Sequence, residues 1–227
     1  MRIPLFILTI IFALTMLAPL TVPFDPLATQ PEISLMPPSF THLFGTDLLG
    51  RDVLSRLLYG GRNTLFVTAI ATLVAVIPGL FVGVVVGYFG GWLDRFSMIL
   101  VNTLLAIPAL VIALVLLTLL GQGRMQIAIA TGIAQIATYT QVIRSMTRLI
   151  QSSEYIISAR ATGAGHYGII KRHILPNIQV TALGFAGVVF GYNVLNAAAL
   201  SFLGLAGSLS TPDWGVMLAE GRASFLV

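Results

Sequence analysis

Of 227 residues, 57% are hydrophobic and only 9% are charged, with a mean hydropathy of +0.96, where soluble domains carry about 25% charged residues. This excludes an ordinary soluble domain, and the long uncharged runs mark an integral membrane protein with several spans. The net charge of +4 does not point to nucleic acid, since the basic residues sit at run ends rather than in a stripe with aromatics, and the lack of cysteine excludes disulfides and thiolate metal sites.

Residues 3–22 form an apolar run of the length a helix needs to cross a bilayer, about 20 residues. The run is longer than the apolar core of a secretory signal and closes on no small-x-small cleavage pattern, so a retained anchor is expected. Residues 23–62 are polar, and Pro23, Pro26, Pro31, Pro37 and Pro38 favour extended and turn backbone. Within them Val53, Leu54, Leu57 and Leu58 share one helical face, while Asp52, Ser55, Arg56 and Arg62 fall elsewhere, an amphipathic segment suited to the membrane interface. Residues 63–93 contain no charge and predict a tilted second span with room to spare. Pro78 can kink it, and Gly79, Gly83 and Gly87 repeat the small-xxx-small spacing that lets membrane helices approach closely.

Asp94 and Arg95 mark a turn, residues 96–123 a third span broken at Pro108, and Arg124 the next turn. Residues 125–143 form the fourth span, closed by Arg144 and Arg148. A polar, glycine-punctuated island follows at residues 153–176, SEYIISARATGAGHYGIIKRHILP. Ser153 is placed to cap a helix, and Glu154 suits the positive end of its dipole. Small and aliphatic side chains predict a short helix over residues 154–162, which Gly163, Gly165 and Gly168 interrupt. A second helical piece, residues 169–175, carries Lys171, Arg172 and His173 and stops at Pro176. The expectation is a helix–turn–helix at a membrane surface, presenting Ser158, Ala159 and Ala161, whose small side chains admit another protein's backbone. Residues 178–203 form the fifth span, and residues 211–222 a turn and a short amphipathic helix.

Polar residues inside the predicted spans have two possible uses. Asn102, Gln135, Thr138, Gln141, Asn193 and Asn196 either glue helices together, for about 0.6–2 kcal/mol each, or line a pore, for which Asn102, Gln135, Gln141, Asn193 and Asn196 are the candidates. No Asp, Glu, Lys or Arg lies deep in a predicted span, which argues against an ion-coupled pump. The sequence has no phosphate-binding loop, no nucleophile elbow, and no metal motif around His42, His166 or His173. An enzyme, an ATPase site of its own, a metal and a cofactor are therefore not expected.

The island resembles the cytoplasmic loop of ABC-transporter permeases, whose pattern is Glu-Ala-Ala, three residues, Gly, nine residues, then Ile-x-Leu-Pro. Ala159, Gly163, Leu175 and Pro176 hold that spacing, while Ile157 stands in place of the Glu, Ser158 of the first alanine and His173 of the Ile. Gly45-Thr46-Asp47, Gly50-Arg51-Asp52, Ser55-Arg56 and Gly61-Arg62 resemble the external segment before the second span in the dipeptide, oligopeptide and nickel importer subgroup. Ser201-Phe202-Leu203-Gly204-Leu205 and Pro212-Asp213-Trp214-Gly215 resemble the segment before its last span. The resemblance implies that related permeases commonly carry an acid at the position where this chain has Asn102 and so one charge fewer.

The resemblance covers residues 3–227 and implies an all-α polytopic membrane helix bundle with a cytoplasmic coupling helix, five spans being present of an expected six. It implies one transmembrane domain, with residues 1–62 as first span plus external segment and residues 63–227 as permease core, truncated before the last span. The location implied is a prokaryotic inner membrane. The partners implied are a second permease subunit in a heterodimer, two cytoplasmic ATPase subunits, an external substrate-binding protein and membrane lipid. Docking to the ATPase would use Glu154, Ser158, Ala159, Arg160, Ala161, Gly163, Ala164, His166 and Tyr167, with Arg160 facing an acid and Tyr167 seated in a groove of that subunit. With the amino terminus inside, seven Lys and Arg residues fall on the inner side and five on the outer, a lean in the same direction. The alternative is a stand-alone channel or secondary carrier, whose marks, inverted repeats or charges at mid-span, are not seen in the sequence.

Overall fold

The computed structural model describes residues 2–207 and 211–224. Its elements are helices: α1 (Arg2–Met16), α2 (Ala18–Thr21), a 3-10 turn at Pro31–Ile33, α3 (Val53–Phe89), α4 (Gly91–Leu105), α5 (Ala109–Leu120), α6 (Arg124–Gln151), α7 (Glu154–Ala161), α8 (His166–Ile169), a π turn at Ile170–Ile174, α9 (Leu175–Phe202) and α10 (Trp214–Ser224). Among the described residues the only extended pairing is an isolated bridge between Thr46 and Asp52. The expected all-α membrane architecture is therefore the one found.

Among the described residues two helical stretches of 37 residues, Val53–Phe89 and His166–Phe202, are long and apolar enough to cross a membrane. The pair α4 and α5 makes a third if counted as one span, bent by 90° at its break. That break holds Pro108, which lacks the N–H a continuous helix needs. The first apolar run is divided at Leu17 into α1 and α2. With 28 residues α6 is long enough, but it carries Thr131, Gln135, Thr138, Thr140 and Gln141 along its length. The interfacial segment and the second span are one continuous helix, α3, with Pro78 inside it.

One boundary differs from expectation. The helix does not stop at Pro176, and Gly168 does not break it, because His166 to Phe202 is continuous. The π turn is the reason. There the Leu175 N–H reaches back to the Ile170 carbonyl, which widens the helix just where Pro176, in the first turn of α9, could not supply a donor or tolerate a tight preceding turn.

The chain divides into two compact units, one of Met1–Thr68, Gly121–Ile127 and Val194–Val227, the other of Ala69–Leu120 and Ala128–Asn193. In the first unit, Asp52 caps α3 by accepting the Ser55 N–H at 2.7 Å while its other oxygen meets His42 Nδ1 at 2.9 Å. Asp47 accepts the backbone N–H of Leu49 and of Arg51, and Arg51 Nε at 2.6 Å. Arg51 and Arg56 both donate to Glu220 of α10. The Asp213 carboxylate caps α10 through the N–H of Gly215 at 2.8 Å, and Trp214 Nε1 donates to the Leu57 carbonyl at 3.0 Å. The two motif segments flagged in the sequence thus pack on each other. Gly60 and Gly61 let them approach closely, a Cβ on them meeting Asp213 and the Trp214 ring, while Gly215 packs on the end of α9, where a Cβ would lie 2.2 Å from the Ala198 carbonyl oxygen.

The second unit is built on a glycine seam between α3 and α6. A Cβ on Gly79 would lie 3.0 Å from the Tyr139 ring, on Gly83 2.7 Å from Ile143 Cβ, and on Gly87 2.8 Å from the Arg144 carbonyl oxygen. Gly132 of α6 answers from the other side, 2.6 Å from the Ala71 carbonyl oxygen. The spacing read from the sequence is therefore a contact surface, with backbone against backbone. Tyr139 Oη donates to the Ala182 carbonyl at 2.9 Å and joins α6 to α9. Gly83→Val is expected to cost about 1–3 kcal/mol by overpacking, read as a lower unfolding temperature in detergent. Gly184→Val, where a Cβ meets nothing within 4 Å, should leave that temperature nearly unchanged.

Candidate functional site

The predicted island folds as a compact elbow at the end of α6. Ser153 occupies the N-cap position of α7 with extended backbone, but its hydroxyl does not cap the helix; it donates to the Ile150 carbonyl. Glu154 remains in the first turn, where its charge faces the positive helix end. At the other end Gly163 adopts φ +87 and closes a Schellman turn: its N–H bonds the Arg160 carbonyl and the Ala164 N–H bonds the Ala159 carbonyl, both at 3.0 Å. Conformation, not space, requires the glycine here, because a Cβ would meet nothing within 4 Å.

One side chain ties α7 to the body of its unit. Ile156 is 0% exposed and joins a core of Ala75, Val84, Tyr139, Ile143, Ile169 and Ile174. Around it the helix faces outward. Glu154, Ser158, Arg160, Ala161, Gly163, His166 and Tyr167 are exposed, whereas Ala159 and Ala164 are half-buried. Ile157, in the position where the motif carries an acid, is 59% exposed, and Tyr155 and Tyr167 extend the outward apolar surface. The nine residues proposed from sequence thus lie on α7, the turn after it and the start of α8.

Two of them have an additional partner within the chain that the sequence did not announce. Tyr88, buried in the last turn of α3, pairs its hydroxyl with His166 Nδ1 at 2.9 Å. The Arg160 guanidinium lies over the same ring, 5.3 Å from its centroid, a cation–π geometry. The tip of α3 is therefore clasped between the end of α7 and the start of α8. A second tie lies nearby in sequence: Asp94, in the first turn of α4, receives both Arg144 Nε and Arg144 Nη2 of α6, and Arg148 Nη1 at 2.9 Å. A single Asp flanked by apolar runs, with Arg144 and Arg148 one helical turn apart, was the available signal for this clamp.

The five polar span residues differ in burial. Asn102 is exposed on α4 and Gln141 on α6, Gln135 is buried, and Asn196 is half-buried. Asn193 is fully buried and donates to Thr72 Oγ1 at 3.2 Å, which fits the helix-gluing use. Its Oδ1 has no hydrogen-bond partner among the described residues.

Residues 79–227 match the family of binding-protein-dependent transport system inner membrane components. The chain belongs to that family. It is 35% identical over 218 residues to the dipeptide transport system permease protein of Alkalihalophilus pseudofirmus, covering 96% of this chain and 72% of that protein. To the glutathione transport system permease protein of Pectobacterium atrosepticum it is 35% identical over 190 residues, covering 84% of this chain and 63% of that protein. To the di/tripeptide transport system permease protein of Pseudomonas aeruginosa it is 34% identical, covering 96% and 74%. The chain therefore spans less than two thirds of the glutathione relative's length. As a member of this family it is an inner-membrane component of a binding-protein-dependent transport system. The family match includes the whole elbow, and the dipeptide relative extends the likeness over nearly all of the chain.

Proposed function

We propose that this permease is the membrane-spanning half of an ATP-driven importer of peptides or of nickel and other metal chelates. It would work with a second permease subunit in a heterodimer, two cytoplasmic ATPase subunits and an external binding protein. The observation that carries this reading is the form of α7. A force-bearing contact needs a rigid anchor and an accessible outer face, and Ile156 supplies the first while Ser158, Arg160, Ala161 and Tyr167 supply the second. The peptide cargo is supported by the relatives, which are named as dipeptide, di/tripeptide and glutathione permeases.

In this mechanism, closure of the ATPases displaces α7. Ile156 passes the displacement to the core shared by α3, α6 and α9, and the Tyr88 clasp passes it directly to α3. The helices then tilt so that the path opens outward, and hydrolysis resets them. No phosphate-binding loop occurs in this chain, so the hydrolysis is assigned to the partner.

The test is reconstitution. A tagged full-length chain, expressed with its second permease, should co-purify with an ATPase subunit and support ATP-dependent uptake in vesicles. Uptake driven by an ion gradient without any ATPase would overturn the proposal in favour of a carrier. Tyr88→Phe, which removes only the hydroxyl bonded to His166, should leave ATPase association intact and lower transport per ATP hydrolysed by about two- to tenfold, the worth of one hydrogen bond.

A further inference from the structure

One feature of the second unit has no part in the docking elbow. A cavity of about 490 Å³ opens between α4 and the last turns of α6, lined in part by Asp94, Arg95, Met98, Asn102, Arg144 and Arg148. Three arginines and one aspartate give this wall a net charge of +2. Asp94 is already fully engaged, taking two bonds from Arg144 and one from Arg148. Donors nevertheless remain. The Arg148 side chain is 54% exposed, and Arg95 is exposed with no partner among the described residues. Beside these charges α4 carries an exposed apolar strip: Ile99 lines the opening at 60% exposure, and on the same helix Trp92, Phe96 and Leu100, outside the cavity lining, are more than half exposed.

The occupant must satisfy both halves. A free inorganic anion could meet the arginines but would leave the neighbouring apolar strip of α4 uncovered, and a neutral lipid would leave two positive charges unmatched. A group with one or two phosphates attached to acyl chains satisfies both. Its hydrocarbon would lie along Ile99, Phe96 and Leu100, with Trp92 at headgroup level, where indole rings settle. Arginine is suited to the phosphate because its planar fork donates two parallel bonds. Basic pockets between membrane helices take anionic headgroups by this chemistry.

We propose that the α4–α6 cavity is a binding site for the headgroup of an anionic phospholipid, best matched by a doubly charged one such as a cardiolipin. The site stands at the same end of its unit as α7, since α6 runs from Arg148 into Gln151 and directly on to the elbow. A headgroup there would brace the Asp94–Arg144 clamp from its open side.

The test uses the full-length permease in its complex, delipidated in detergent and titrated with cardiolipin, phosphatidylcholine or inorganic phosphate while native mass spectrometry counts bound lipid. Cardiolipin should bind in preference to phosphatidylcholine, and the double substitution Arg95→Gln/Arg148→Gln should weaken it by about thirtyfold, the combined worth of two basic residues at a membrane surface. Arg95→Gln alone removes a side chain with no partner, so it should keep the fold and still weaken binding by about fivefold. Lys171→Gln, basic but outside the cavity, should change nothing. Equal binding of phosphatidylcholine, retention of cardiolipin by the double variant, or an equal loss in Lys171→Gln would each overturn the proposal. Displacement of cardiolipin by millimolar inorganic phosphate would overturn it too, reassigning the cavity to a soluble anion.

Discussion

A Gly163→Glu chain is expected to insert in the membrane and fold, yet to lose association with the ATPase by about a hundredfold or more, the cost of leaving one charge unpaired in a desolvated contact. Two effects separate in this substitution. The first is conformational: Gly163 sits at φ +87, and any L side chain there strains the turn by about 1–2 kcal/mol. Because a Cβ would meet nothing within 4 Å, no clash is added, and the Ile156 anchor keeps α7 seated. The second effect arises only in the complex, where a long anionic side chain projects from the turn between α7 and α8 into the surface proposed to meet the partner. Gly163→Ala isolates the first effect. In pull-downs from detergent, Ala should retain most of the association and Glu should lose it. If both retain it, the elbow does not dock; if both lose it, the turn's shape rather than its surface is what the partner reads.

Much of this architecture is written in short-range sequence signals. The Pro108 break, the extent of α7 to within a residue and the Gly163 turn each depend on local backbone chemistry that one residue type announces. The Gly79, Gly83 and Gly87 spacing is legible for a related reason, since a helix period places the three on one face. What was not legible depends on partners far apart in the chain. Tyr88 looks like any aromatic at the end of a span until His166 and Arg160 are folded over it. Asn193 and Asn196, three residues apart and alike in sequence, differ because only the first meets Thr72. Continuation of the helix through Pro176 needed the Leu175 N–H to reach Ile170, five residues back, and no residue type encodes a π turn. Ser153 holds the cap position, yet its hydroxyl turns back to Ile150, a competition between nearby carbonyls and amides that composition does not settle.

The same non-local logic sets the other large effect. Glu220→Ala is expected to destabilise the first unit by about 2–4 kcal/mol, somewhat below a fully buried pair because the Glu220 side chain is 29% exposed, since its removal leaves the buried Arg56 charge uncompensated. The Arg56 side chain is only 1% exposed and that of Arg51 only 7%, and both donate to the same oxygen, Glu220 Oε2, across 164 and 169 residues of sequence. Without Glu220, Arg51 keeps its 2.6 Å contact with Asp47, but Arg56 keeps only a 3.6 Å approach to that carboxylate. Its Nη1 has no hydrogen-bond partner among the described residues, so Arg56 has little left to lose before it becomes an isolated buried charge. Thermal unfolding in detergent should show the single variant melting well below the parent, with Glu220→Gln in between because it keeps an acceptor and loses the charge. The decisive comparison is Arg56→Met/Glu220→Leu, which removes both charges. A buried pair replaced by apolar groups of similar volume costs little, so the double variant should recover most of the loss, a coupling between the two sites that additive effects would not give. If Glu220→Ala melts with the parent, or the double variant is worse than the single, the charges are solvated and the cluster does not hold α10 to the segment before α3.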